Sequence, residues 1–255
     1  MAIMKSYCLT IAGFDPSGGA GILADLETFA ELKVEAGAVI TALTTQNRRR
    51  VSGVYPFPGV RVAEQAELLI EERRPKAVKI GMLGSAAVVR RVAKLLDGLG
   101  ELPIVLDPVM KATAGTDLLD PAGQKLLSKM LLPRATVITP NIFESEKLLK
   151  RKIKNKRNMI RAAKDLWQLG PRAVVITGGD RRGDPLDILY DGKKVDEFSA
   201  RRIKADVVRG TGCRFSSAMA AYLAKGYSIS RATRSARSYI RKYIKAAALS
   251  SLIKE

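Results

Sequence analysis

The stretch LTIAGFDPSGGAGILADLETF, residues 9–29, decides the architecture. An apolar, β-branched run ends at Ala12, a turn rich in glycine and proline follows, and helical spacing of apolar residues takes over from Ala20. A strand, a tight turn and a helix in one short span open a β–α unit. The same alternation continues along the chain. It predicts strands over 6–12, 36–44, 77–80, 104–107, 136–139 and 173–177, and a weaker pair over 187–190 and 194–198 around the hairpin turn Asp191-Gly192. It predicts helices over 20–32, 63–72, 86–96, 121–131, 143–150, 158–169, 213–225 and 230–249. Pro121 at one helix start and Gly226 past one helix end fit the usual asymmetry. Runs such as AVVIT and PIVLD are apolar on both faces, as parallel strands buried between two helical layers must be. The expectation is an α/β fold, with a mostly parallel sheet covered on both faces and one domain over residues 1–255.

Composition narrows the chemistry. There is no histidine, which excludes imidazole acid–base catalysis and His metal sites; carboxylates, thiols, amines and backbone dipoles remain. Cys8 and Cys213 form no disulfide framework, which suits a reducing cytoplasm. No apolar run reaches membrane-spanning length, so no membrane partner is expected. The net charge is +19, with nine Lys/Arg and no acid over 147–164. With 5% aromatic residues and no aromatic–basic interleaving, the excess reads as solvated helix faces or steering of an anionic substrate, not as a nucleic-acid surface.

Open parallel sheets bind ligands beyond the carboxyl ends of their strands. Glycines and polar residues collect at those ends: Gly13–Gly21, Thr44–Asn47, Gly81–Leu83, Asp107–Met110, Pro140–Glu144 and Gly178–Asp180. The first is neither a Walker A loop nor a dinucleotide fingerprint. The sharpest signal is Arg209-Gly210-Thr211-Gly212-Cys213, two glycines opening a small-residue helix, which suits an oxyanion or phosphate. Cys213 falls at the helix mouth, where a thiol pKa tends to drop. Asp25 reads either as a solvated first-turn carboxylate or as a ligand contact, and Gln46 can read the edge of a heterocycle. Asn141-x-x-Glu144 reads either as a helix cap or as a Mg²⁺ contact near nucleotide phosphates, with Asp107 as a further acidic contact.

Together, LTIAGFDPSGGAGILADLETF, VITALTTQN, KIGML, VLDPVM, ITPNIFESEKL and GTGCRFSSAMAAYLAKG resemble the hydroxymethylpyrimidine/phosphomethylpyrimidine kinases, within the ribokinase-like superfamily. The motifs run in family order from Leu9 to Gly226. The resemblance implies a ribokinase-like three-layer α/β/α sandwich, ATP-dependent phosphorylation of a pyrimidine alcohol or its phosphate in thiamine biosynthesis, ATP and Mg²⁺ as cofactors, and a homodimer. It implies pyrimidine contacts at Gly13, Asp25, Gln46, Met82 and Val109, Mg²⁺ at Glu144, an anion hole at Gly210 and Gly212, and Cys213 at the catalytic-base position where ribokinase relatives usually carry Asp. It further places Asp107, Lys111, Asn141, Thr177, Gly179, Arg209 and Thr211 against the nucleotide, with residues 110–118 as a flap. Three departures stand out: Arg209 where His is common, Thr177 where Lys is frequent, and Arg48-Arg49-Arg50 beside the expected pyrimidine pocket. Arg209 or Lys111 would then replace the missing lysine charge. The alternatives are a pyridoxal/pyridoxine-type kinase of the same fold and a non-catalytic ligand-binding regulatory homologue.

Overall fold

The computed structural model describes residues 6–112, 115–179, 181–205 and 208–252. In chain order these form β1 (Tyr7–Phe14), α1 (Gly21–Glu31), β2 (Glu35–Gln46), β3 (Val51–Pro56), α2 (Gly59–Glu72), β4 (Ala77–Ile80), α3 (Ala86–Asp97), β5 (Ile104–Leu106), α4 (Pro121–Leu126), β6 (Val137–Ile138), α5 (Ile142–Leu149), α6 (Lys156–Trp167), β7 (Ala173–Ile176), β8 (Leu186–Tyr190), β9 (Val195–Ser199), α7 (Thr211–Ala224) and α8 (Ile229–Leu252). One nine-stranded sheet runs β3-β2-β1-β4-β5-β6-β7-β8-β9. The strands from β2 to β7 are parallel, while β3, β8 and β9 are antiparallel additions at the edges.

The apolar strands still obey a period of two. Leu9 and Ile11 of β1, Val78 and Ile80 of β4, and Val174 and Ile176 of β7 pack into one core with α2, α3 and α6. Cys8, Ala77, Val105, Ala173 and Val175 pack into the opposite core with Phe29 of α1 and the small residues of α7 and α8. The result is a three-layer α/β/α sandwich. Successive strands leave β1 on opposite sides, β2 on one and β4 on the other, so the order reverses between β1 and β4, a reversal that opens a crevice at the carboxyl edge.

Three expectations change. An additional strand, β3, pairs antiparallel with β2, and Arg48–Arg50 form the exposed turn between them, outside the residues that line the crevice. Asn47 Oδ1 accepts the N–H groups of Arg49 and Arg50 and closes that turn. Helix α2 starts at Gly59, directly after Pro58, because proline halts the strand and presets the entry angle. The helix expected over 121–131 is α-helical only to Leu126 and continues as a π turn over Leu127–Leu131.

Candidate active site

The carboxyl edge encloses a crevice of about 610 Å³. One end is an apolar slot. Met82, just beyond β4, is buried with Ala42, Val51 and Leu118, and Val109 and Ala112 pack against them. A Cβ on Gly13 would stand 2.7 Å from Met82 Sδ, so the first turn can only approach Met82 this closely without a side chain. Thr41 fixes Met82 by donating its hydroxyl to the Met82 carbonyl at 2.6 Å. Gln46 reaches the same wall from the end of β2. The slot thus has apolar faces and one amide able both to donate and to accept, which suits a flat heterocycle.

The middle of the crevice is the start of α7. Gly210 takes φ +71°, and a Cβ there would come within 2.0 Å of the Gly19 carbonyl, so no other residue fits this turn. Among the described residues no side chain caps the helix, which leaves first-turn N–H groups at the crevice beside Gly210, Thr211, Gly212 and Cys213. Ser216 and Ser217, one turn on, dock the helix by donating to Asp107 Oδ2 at 3.1 Å and to Asp25 Oδ1 at 2.7 Å.

Beneath α7 lies a sealed cluster. Asp25 is fully buried and does not line the crevice. Its oxygens accept from Thr10 Oγ1, Ser217 Oγ and twice from Lys79 Nζ, at 2.7–2.9 Å. The expectation of a pyrimidine contact at Asp25 is therefore corrected, as is the solvated reading: α1 turns this position toward the sheet, where Lys79 takes it up. Burial pulls the Lys79 ammonium toward neutrality, but Asp25, Cys213 and Asp107 together hold its pKa above the ordinary lysine value. Asp107 is pushed up to about 6 by burial, against the opposing pull of Lys79 and the Ser216 hydrogen bond. The Cys213 thiol keeps partial access to the crevice, yet desolvation raises it to about 12. The helix-mouth expectation of a lowered thiol pKa is thus overturned, because burial and two nearby carboxylates outweigh the favourable Lys79 charge and Gly21 N–H.

The far end is wider and more polar. Asn141, Glu144, Thr177 and Gly179 line it, and the bridge between Asn141 and Thr177 joins β6 to β7 at their tips. Asn141 and Glu144 form a reciprocal capping box at the start of α5, each accepting a backbone N–H at 2.9 Å. The expected Gly178–Asp180 segment is described only to Gly179, because Asp180 lies outside the described residues, as do Thr113 and Ala114 of the expected flap. The rest of that flap folds back on itself through Ala112 N–H to Thr116 O and Leu118 N–H to Met110 O, and Lys111 stands 3.8 Å from Asp117.

Arg209 lines the crevice, but its charge is already engaged. It donates to Ser17 Oγ and the Asn47 carbonyl, and its guanidinium pairs with the buried Asp15 at 3.4 Å. Sequence reasoning missed Lys79, Arg202, the α8 wall and the Arg237–Asp187 ion pair, 2.7 Å apart, among the residues that line the crevice. Arg202 is clasped by the carbonyls of Gly179, Arg181 and Gly183, with no carboxylate in ion-pair range of its guanidinium among the described residues. Helix α8 brings Ile240, Ile244 and Arg241 into the wall, with Arg241 bonded to the Arg201 carbonyl. Leu118, the last residue of the expected flap, closes the apolar slot. Lys79 was legible as the polar residue of AVKI, whose parity with Ala77 puts it on the α1/α7 face. Nothing in the local sequence of the others marks them.

The family model described as phosphomethylpyrimidine kinase matches residues 15–252. A hydroxymethylpyrimidine/phosphomethylpyrimidine kinase of Aquifex aeolicus is 39% identical over 93% of this chain and 93% of its own length. The thiamine biosynthesis bifunctional protein ThiED of Geobacter sulfurreducens is 41% identical over 95% of this chain, which spans half the length of that relative. A solved phosphomethylpyrimidine kinase from Clostridium difficile superposes with a TM-score of 0.84 at 38% identity, covering 94% of this chain and all of that one. A pyridoxal kinase from Staphylococcus aureus, solved with AMP-PCP and pyridoxal, superposes at 0.85 and 34% identity over 94% of this chain and 88% of that one.

Proposed function

The chain belongs to the phosphomethylpyrimidine kinase family and is an ATP-dependent kinase of hydroxymethylpyrimidine and/or its monophosphate in thiamine diphosphate biosynthesis, and we propose how its crevice divides that work. The observation that carries the proposal is continuity: the apolar slot, the uncapped start of α7 and the polar far end open into one cavity. The pyrimidine lies between Met82 and Val109 with its edge read by Gln46, and its hydroxymethyl group points to Cys213. The backbone N–H groups at 210–213 meet the transferring phosphoryl group and stabilise the charge it carries. Asn141, Thr177, Gly179, Thr211, Lys111 and Asp107 line the path of the nucleotide.

Cys213 orients the substrate alcohol, and its thiolate accepts the alcohol proton. Because the thiol sits at about 12, the thiolate is a minor species at neutral pH, so turnover climbs as pH rises. Positioning supplies most of the remaining rate, since phosphoryl transfer asks for little covalent help. Mg²⁺ fits the donor set: Glu144 and Asp107 offer carboxylate oxygens, and no group of three or more Asp, Glu, Cys or His residues that could cage a metal is present among the described residues. Glu144 would hold it, and Mg²⁺, when bound, would neutralise phosphate oxygens.

A single-domain homodimer in a reducing cytoplasm completes the proposal. Supporting it are two free thiols and an exposed apolar pair, Leu43 opposite Tyr55 on the β2–β3 ribbon. Among the described residues no helix is long and apolar enough to cross a membrane. Release of ADP with hydroxymethylpyrimidine, its monophosphate and pyridoxal tests the substrate assignment. Turnover of either pyrimidine above that of pyridoxal is the expected result. Preference for pyridoxal would shift the chain to the neighbouring activity, and binding without turnover would make it a regulator.

A further inference from the structure

Arg214 is a buried charge that the scheme above leaves without a role. It follows Cys213 on α7 and is only 4% exposed. Taking a guanidinium out of water is costly unless its donors are met. Two other helices meet it. From α1, Glu27 pairs with Nη2 at 2.5 Å, and the Ala24 carbonyl accepts from Nη1 at 3.5 Å. From α8, the Tyr243 ring lies 4.4 Å from the guanidinium carbon. Nε is buried with no hydrogen-bond partner among the described residues. An arginine that served packing alone between three helices could be exchanged for an apolar residue without loss. A planar guanidinium can stack its face on a ring while its edge pairs with a carboxylate, which no apolar side chain does.

What this clasp holds is the half of α8 that reaches the crevice. Ala232, Thr233 and Ala236 are the buried positions among the described residues of α8, and beyond Ala236 those residues are half-buried or exposed. Ile240, Arg241 and Ile244 of that half nevertheless line the crevice. Tyr239 and Tyr243, one turn apart, join it to α1 and α7: Tyr239 donates to Glu31 Oε2 at 2.7 Å, and Tyr243 takes up Arg214. Glu27 and Glu31 are likewise one turn apart on α1, so the two contacts run as neighbouring rungs between α1 and α8. The Arg214 N–H also donates to the Gly210 carbonyl at 2.9 Å, which closes the first turn of α7. One residue thus joins the phosphoryl-binding turn to the far wall. We propose that Arg214 is a positioning residue for the donor end of the crevice, whose clasp on Tyr243 seats Ile240, Arg241 and Ile244 of α8 against the nucleotide.

This inference rests on the placement of the nucleotide at the far end, and its test separates the two. Full-length wild type, Arg214→Met, Tyr243→Leu and Tyr243→Phe are compared by two readings. Trypsin cuts a helix where it opens, and Arg241, Lys242 and Lys245 lie on either side of Tyr243, so cutting at these sites reports on the seating of α8 without any ligand. Calorimetry with AMP-PCP and with hydroxymethylpyrimidine reports on the two ends of the crevice. Arg214→Met and Tyr243→Leu are expected to be cut about tenfold faster at 241–245. Both should bind AMP-PCP about tenfold more weakly and hydroxymethylpyrimidine within about twofold of wild type. Tyr243→Phe, which keeps the ring, stays close to wild type in both readings. Tyr243→Leu, on the half-buried part of α8, carries the test if Arg214→Met does not fold. Cutting that speeds up along the whole chain, or equal losses for the two ligands, marks a packing residue and overturns the proposal. Unchanged cutting at 241–245 overturns it as well. Faster cutting there with unchanged AMP-PCP affinity upholds the clasp and removes the nucleotide from the α8 wall instead.

Discussion

The two ends of the crevice handle charge in opposite ways. Under α7, Lys79, Asp25, Ser216, Ser217 and Asp107 are buried and joined by hydrogen bonds of 2.7–3.1 Å. At the far end, Arg202 and Arg241 are held by backbone carbonyls with no carboxylate in ion-pair range among the described residues, while Arg237 beside them pairs with Asp187 at 2.7 Å. A carbonyl cage orients a guanidinium and leaves its field available to an incoming anion, whereas a buried carboxylate consumes that field. The contrast matches the tasks. Proton movement at Cys213 needs a fixed local potential, and a polyphosphate that enters and leaves needs an open one.

The largest effect expected from disturbing this contrast is at the sealed end. Lys79→Met strands the Asp25 carboxylate and should cost about 3–5 kcal/mol in urea unfolding, while Asp25→Asn/Lys79→Met should cost well under half of that. Equal losses would mean that the pair is held by packing and not by charge. Asp107→Asn comes next. The folded carboxyl titrates near 6 against an ordinary 3.8, so its favourable contribution is complete below about 3.8 and is lost as pH rises through 6. The Asn variant should therefore be more stable than wild type by about 3 kcal/mol at pH 8, with no gain at pH 3.5, in thermal melts at both pH values. At the open end, Arg202→Ala should weaken binding of AMP-PCP roughly tenfold by calorimetry and leave adenosine unaffected. Equal losses for both ligands would assign Arg202 to the loop alone. The smallest change is expected for Arg209→Ala. Its ion pair with Asp15 is already made, so stability should fall by about 1 kcal/mol or less and the ATP dependence should hold. A large rise in the KM for ATP would return Arg209 to the phosphates.

The contrast also separates what could be read from the sequence from what could not. Strand–helix alternation and the glycine-bearing strand ends gave the layers and one edge of the sheet, because periodicity and turn chemistry are local. Strand β3 escaped because VSGVYP carries a glycine and ends in proline, and such a run becomes a strand only through its pairing with β2. Gly13, Gln46, Met82 and Val109 fell into one slot because each ends or follows a strand. Asp25 and Cys213 carried the right residue types with the wrong electrostatics. Their state depends on Lys79, far from both in the chain and adjacent only after folding. Arg202 and the α8 wall depend on how the 178–184 turn and the last helix fold back, which no local pattern encodes.

The most direct measurement is kcat for hydroxymethylpyrimidine from pH 6.5 to 10 in wild type and Cys213→Ala at saturating ATP. With the thiolate of Cys213 as proton acceptor, wild-type kcat climbs with pH across this range and the Ala variant stays low and flat. A Cys213→Ala enzyme that climbs in parallel with wild type would contradict it.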